Sequence, residues 1–420
     1  MLSTIINSWK VKDIRKKIIF TLLMFVVFRF GTQISVPGIN KEVLAELFGG
    51  AASGIWNMID LFSGGAFKQI SVFAMGIMPY INASIIMNLL TIVFPYFEKL
   101  SKEGEEGRKK MTQYTRYGTV VLGFFEALAM SFYLRNALEN PSIGSILLVS
   151  LTLTAGTVFL MWIGELITER GIGNGISLII FAGIASRLPA GIENIWQYVK
   201  GGQASIVTII IFVAIALLIV VGVIAIQEGS RNIPVQYAKR VVGRKMYGGQ
   251  NSTIPIKVNQ SGVIPIIFAM SILMFPSTIA GFFSGNSIAD FIVKIFGSGH
   301  IIYMIIYVLM IIFFTYFYTA VTFNPVDVAD NLKKYGGFVP GLRPGRSTAE
   351  YLEKILSRIT LAGAIFLAFI AVLPNIVQAG TGLPISFGGT SLLIVVGVAL
   401  DTMKQLESQL LMRSYQGFMK

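Results

Sequence analysis

Few charged side chains fall within the apolar stretches of this 420-residue chain, among them Arg29, Glu126, Glu165 and Asp401. Chemistry inside a membrane would have to start from them, because each is costly there and must be paired or hydrated. A proton-coupled pump needs such groups facing one another at mid-membrane. Glu165 and Asp401 instead fall near the ends of their segments, where solvent or a neighbouring base can meet them, and Arg29 reads as a snorkelling base. Glu126 lies deeper and is the candidate for a functional carboxylate. One histidine, His300, and no cysteine leave nothing for a His/Cys metal site. The pair in Asp327-Val-Ala-Asp330 lacks the second acidic cluster that a membrane-embedded, metal-dependent prenyl enzyme would use. No Gly-rich phosphate loop of the Walker type occurs, so energy for any transport is expected from a partner or from the membrane potential. No catalytic centre, cofactor or metal is expected.

The elements that position these groups are membrane spans. Mean hydropathy is +0.72, only 13% of residues are charged, and several stretches reach the ~20 apolar residues that cross a bilayer. Ten spans are predicted, at 18–36, 70–94, 117–134, 145–167, 175–189, 204–226, 262–283, 301–323, 359–377 and 387–406. The basic run Lys10 to Lys17 ahead of the first could open a signal peptide, but no small-residue cleavage site follows Val36, and the span is expected to be retained. Of 34 lysines and arginines, 27 fall on the side of the N-terminus, which puts both termini and the long basic loops in the cytoplasm. The net charge of +13 is mostly this orientation signal, with capacity left to meet anionic lipid or an acidic partner. Small residues inside spans, such as Ala155-Gly156 and Gly363-Ala364, favour a compact bundle.

Two segments depart from the pattern. Trp56 to Phe67 has helical apolar spacing at Trp56, Ile59 and Phe62, is too short to span, and ends at Gly64-Gly65. It could lie flat at the outer interface, the simpler placement on spacing alone, or fold back into the bundle. The second is the cytoplasmic loop 324–348, where Pro340, Gly341, Pro344 and Gly345 bracket Leu342-Arg343 in a built turn. That turn presents Arg343 and Arg346, either as solvated orienting charges or as forked donors for a partner's carboxylates or phosphates.

At these residues the chain resembles the SecY family of channel subunits, essentially from end to end. The markers are Phe73-Ala-Met-Gly-Ile-Met-Pro-Tyr-Ile81 with Ala83-Ser-Ile-Ile86, Gln113-Tyr-Thr-Arg-Tyr117, Phe159-Leu-Met-Trp-Ile-Gly-Glu165 and Arg170-Gly-Ile-Gly-Asn-Gly-Ile-Ser177. They continue with Ile256-Lys-Val-Asn259, Gly262-Val-Ile-Pro265, Ala329-Asp-Asn-Leu-Lys-Lys334, Val339-Pro-Gly-Leu-Arg-Pro-Gly345 and Gly388-Gly-Thr-Ser-Leu-Leu-Ile-Val-Val396. Small departures are Asn88, where the family commonly has glutamine, and Thr253 before Ile254-Pro255, where histidine is frequent.

The resemblance implies an all-α polytopic fold: ten transmembrane helices in two inverted five-helix halves, residues 1–203 and 204–420, around an hourglass pore. It implies an apolar waist of Ile81, Ile85, Ile180, Ile184, Ile267 and Ile394; spacing alone would equally admit Ile86, Ile179 and Ile266 as packing residues. A ring of isoleucines resists a continuous water column yet can deform around a peptide. The segment 56–67, with Trp56, Asn57, Asp60, Phe62, Ser63, Gly64, Gly65 and Phe67, becomes a plug for the outer funnel. Its polar Asn57, Asp60 and Ser63 suit an element that sits at the waist and also moves into water. The loops 228–261 and 324–356 become docking surfaces for the SecA motor ATPase or a translating ribosome. They are implied to act through Arg343 and Arg346 and through basic residues including Arg240, Arg244, Lys245 and Lys257. A lateral gate between spans two and three and spans seven and eight would release signal peptides and membrane segments of nascent chains into lipid, with Glu126 near the seam. SecE and SecG are the implied small subunits, and the bacterial plasma membrane the location. The competing class, a secondary transporter for a small solute, would need a polar site at the midplane.

Overall fold

The structure, a computed structural model, describes residues 6, 8–40, 60, 63–201, 206–237, 240–242, 245–247, 251–282, 287, 291–292, 295, 300–381 and 389–418. The N-terminal half contains α1 (Lys12–Gly31), α2 (Met78–Val93), α3 (Pro95–Lys102), α4 (Glu105–Tyr133), α5 (Ile143–Arg170), α6 (Gly175–Ala185) and α7 (Leu188–Lys200). The C-terminal half contains α8 (Ile206–Glu228), α9 (Ile264–Phe282), α10 (Ile301–Thr322), α11 (Pro325–Lys334), α12 (Arg346–Thr381) and α13 (Gly389–Phe418). The expected boundary at 203–204 lies outside the described residues. Among those residues six spans are long and apolar enough to cross a bilayer, and a seventh is α2 with α3, bent by 102°. With α1, α9 and α13 they make up the ten expected spans.

Local chemistry sets the helix ends. Proline stands in the first turn of α2, α3, α7 and α11, where its missing N–H costs nothing. Side chains of Ser142, Asn174 and Asn324 cap α5, α6 and α11 by accepting from Ser145, Ser177 and Val326 backbone N–H groups at 3.2, 3.2 and 3.1 Å. Hydroxyls within the spans turn back on their own helices: Thr119, Thr154, Thr315 and Thr319 each donate to the carbonyl four residues earlier at 2.7 Å. Such bonds satisfy these four hydroxyls inside the apolar layer.

The helices pack as a closed circuit. In the N-terminal half α2 lies on α4, α4 on α5 and α5 on α6; in the other half α9 lies on α10, α10 on α12, and α13 on α8 and α12. The halves meet at two seams, α6 against α13 on one side and α2 with α4 against α9 on the other. Inside the circuit is the main core, which draws Ile and Phe side chains from both halves. A second cluster joins the C-terminal end of α4 and the N-terminal part of α5 around Phe67, Ile70, Met130 and Leu134.

The helical expectation omits one feature. Loop 228–261 holds four strands, β1 (Ser230–Tyr237), β2 (Arg240–Val242), β3 (Lys245–Tyr247) and β4 (Asn251–Lys257), and the next loop adds β5 (Gly337–Phe338). β1 pairs antiparallel with β4 on one edge and with β5 on the other, while β2 and β3 form a separate hairpin. The two loops expected to dock partners are therefore one body. Its core is Ile233, Val235 and Ile256 from the sheet, Leu332 and Val339 from the second loop, and Leu352, Ile355 and Leu356 from α12.

Candidate functional site

The six isoleucines of the expected waist come from four helices, Ile81 and Ile85 from α2, Ile180 and Ile184 from α6, Ile267 from α9 and Ile394 from α13. All six belong to the main core cluster and are at most 7% exposed. Burial separates Ile81 and Ile85 from Ile86, which is 44% exposed, because α2 turns one face inward. It does not separate Ile180 from Ile179 or Ile267 from Ile266, which are equally buried.

The described end of the segment expected to be a plug packs against the C-terminal end of α6, with Ala66 in the same core cluster as the six isoleucines. Trp56, Asn57 and Phe62 lie outside the described residues. Asp60, Ser63, Ala66 and Phe67 are buried. Their polar groups are used internally: the Asp60 carbonyl accepts from the Gly65 N–H at 3.0 Å, and the Ser63 hydroxyl accepts from the Phe67 N–H at 3.2 Å. Asp60 Oδ1 accepts from the Lys68 backbone N–H at 2.9 Å, and Oδ2 is ion-paired with Arg187 Nη2, just past the end of α6. The Gly64 carbonyl accepts from Arg29 Nη1 at 2.9 Å, and Ser186 Oγ stands 3.5 Å from both. Gly64 has φ of +67°, and a Cβ there would come within 3.0 Å of the Gly183 Cα, so the turn needs glycine twice over. Beyond the turn, the chain is pinned to the exit of α1 by a Val36 N–H bond to the Ile70 carbonyl and a Val72 N–H bond to the Ile34 carbonyl, both 2.9 Å.

Two sequence readings change here. Arg29 does not reach out as a snorkelling base; it turns onto the Gly64 carbonyl. Arg187, Ser186 and Gly183, which sequence reasoning passed over, form the surface that receives Asp60, Gly64 and Gly65. A signal existed in Asp60: a carboxylate in an otherwise apolar segment needs a cation once buried, and few basic residues occur on the outer side.

Glu126 on α4 accepts from Asn82 Nδ2 on α2 at 2.9 Å. Both residues belong to the N-terminal half, so this bond ties together one wall of the seam. Glu165 is met by Arg116 Nε on α4 at 2.8 Å, the neighbouring base the sequence asked for. At the opposite half Glu228 pairs with Lys404 at 2.9 Å, on the same helix and close to Asp401.

In the β-sheet body Arg343 is exposed, while its carbonyl accepts from Thr348 Oγ1 at 2.9 Å, which fixes the turn. Arg346 does not stand free: its Nε bonds Glu350 Oε1 at 3.0 Å one helical turn on. Of the expected basic surface, Lys257 is exposed on β4, Arg240 and Lys245 sit on the β2–β3 hairpin, and Arg244 lies outside the described residues.

Known proteins match this arrangement. The SecY family model matches residues 71–403. The protein translocase subunit SecY of Halalkalibacterium halodurans is 52% identical, with all of both chains covered. Among solved structures, a SecY protein whose plug domain is described as stabilising the closed state of its translocation channel superposes with a TM-score of 0.65. It is 19% identical and covers 94% of this chain and 92% of its own. Sec61 in a canine ribosome–channel complex superposes with a TM-score of 0.60 at 18% identity, covering 94% and 92%. The structures agree in fold, and the relative half-identical along its whole length settles the lineage: this chain belongs to the SecY family.

Proposed function

We propose that this chain is the pore-forming subunit of a protein translocase of the bacterial plasma membrane. Unfolded secretory polypeptides pass through its waist, and apolar segments leave sideways between α2 with α4 and α9 with α10. The observation that carries the reading is the convergence of six isoleucines from four helices and both halves in one buried cluster, which also takes in Ala66. A constriction of branched apolar side chains holds back ions by dewetting and can yield around a threaded chain. A solute transporter would place convergent polar groups at that level instead.

The remaining roles follow from position. Residues 56–67 act as the plug. Residues 1–203 and 204–420 act as the two halves that part on opening, with α6 against α13 as the second seam. Both termini face the cytoplasm. The exposed Arg343 and the basic face of the β-sheet body receive a motor ATPase such as SecA or a translating ribosome, a reading supported by the ribosome-bound Sec61 relative in fold. SecE and SecG are the expected small subunits, signal peptides and nascent chains the cargo, and anionic lipids the favoured surroundings of the basic cytoplasmic face.

The test is single-channel conductance in planar bilayers, wild type against a deletion of residues 57–65. A sealed wild type and a leaky, flickering deletion support the plugged conduit. If both stay silent while a small solute accumulates against its gradient, the transporter reading replaces it.

A further inference from the structure

Segment 60–65 is gripped from two directions. Arg187, whose side chain is 24% exposed, follows α6 and holds the fully buried Asp60 carboxylate. Arg29, from α1, holds the Gly64 carbonyl four residues later. The grip is electrostatically lopsided, with two guanidinium groups beside one carboxylate. Arg29 and Arg187 both bond the segment and lie close enough to interact electrostatically, and Asp60 is the anion between the segment and α6. While Asp60 is in place, it offsets both like charges. Lifting the segment strips Asp60 of its ion-pair partner and leaves Arg29 and Arg187 facing each other. Separating a buried pair is strongly resisted until water or another group replaces the lost partner.

We infer that Arg187 and Arg29 are positioning residues of the closed channel, and that rupture of the Asp60–Arg187 pair is the step that frees the plug. The strength of the pair then sets how tightly a signal segment must bind before the channel opens, so it acts on substrate selection. The inference rests on the reading of residues 56–67 as the plug. It adds a latch, with named partners, to an element otherwise held by apolar packing.

The experiment uses the membrane-reconstituted complex and reads two quantities: the open fraction without substrate, and export of a secretory precursor with a weakened signal. The variants are Asp60→Asn, Arg187→Gln, Arg187→Lys, Arg29→Gln, the double Asp60→Asn/Arg187→Gln, and the deletion of residues 57–65. Arg187→Gln leaves a buried carboxylate unmatched and should raise the open fraction on the order of a hundredfold. Asp60→Asn, which preserves shape, should raise it less, and the double variant should resemble Asp60→Asn rather than multiply the two effects. Arg29→Gln should raise it by a smaller factor, since it loses a bond to a neutral carbonyl. Arg187→Lys should remain close to wild type, a rescue that a purely structural role for the guanidinium would not give. The weakened precursor should be exported in the same rank order.

If Arg187→Gln stays sealed while the deletion leaks, the plug stands and the latch is overturned. Independent, multiplying effects in the double variant also overturn it. If the deletion itself stays sealed, the plug reading fails and the latch falls with it.

Discussion

Replacing Ile256 by alanine tests whether loops 228–261 and 324–356 are one mechanical body. Ile256 is fully buried on β4, opposite Arg231 of β1, in a cluster fed by both loops and by α12. The substitution removes three carbons from that cluster, and such truncations cost about 2–5 kcal/mol. A small body on the rim of the membrane can relax into the space, so the lower end, about 2 kcal/mol, is the expected loss. At 1.4 kcal/mol per factor of ten that is about a thirtyfold rise in local opening. Hydrogen exchange read by mass spectrometry on the reconstituted complex measures it. Peptides covering 230–237 and 251–257 should exchange about thirtyfold faster. So should the peptide 328–342 from the other loop, because β5 hangs on β1 and because Leu332 and Val339 share the cluster. Peptides from α5 should be unchanged. Faster exchange confined to the first loop, with 328–342 at its wild-type rate, would refute the single-body reasoning.

Three further outcomes follow from the site. Gly64→Ala forces a side chain into left-handed backbone and against Gly183, at about 1–2 kcal/mol for the conformation alone, and should raise ion leak through the resting channel about tenfold in a flux assay. Arg343→Glu reverses an exposed charge while its turn keeps the Thr348 bond to the carbonyl; motor-driven export should fall at least tenfold with resting conductance unchanged, and loss of both together would point to misfolding instead. Glu126→Ala frees Asn82 and softens the α2–α4 wall, so precursors with poorly hydrophobic signals should be exported more readily; unchanged export of those precursors would count against any part for Glu126 in gating.

The spans were legible because hydrophobicity over ~20 residues is a long, redundant signal; the described helices fall on all ten predicted segments. Their ends were less so. The second span was expected from residue 70, but α2 begins at Met78, because 63–77 is a chain of turns tied to the exit of α1 by cross-chain bonds that no local pattern announces. The strands were missed for a related reason. Their alternation, Ile233 with Val235 and Ile254 with Ile256, is short and interrupted by Pro234 and Pro255, both in paired strands. The waist was chosen by family likeness; burial supports the inward face of α2 but leaves neighbouring isoleucines on α6 and α9 equally enclosed. The Asp60–Arg187 pair spans more than a hundred residues, and sequence could supply only the demand for a partner, not its identity.

The long helix α12 has a consequence for force. From Arg346 to Leu373 its 28 residues run about 42 Å, well beyond the ~30 Å of hydrocarbon. Its N-terminal reach carries the β-sheet body, while further along Gly363 rests against the backbone at Val258. A load applied to the sheet therefore enters the bundle as torque about that resting point. A load on the sheet would then tilt a spar that packs against α10, a wall of the proposed sideways exit.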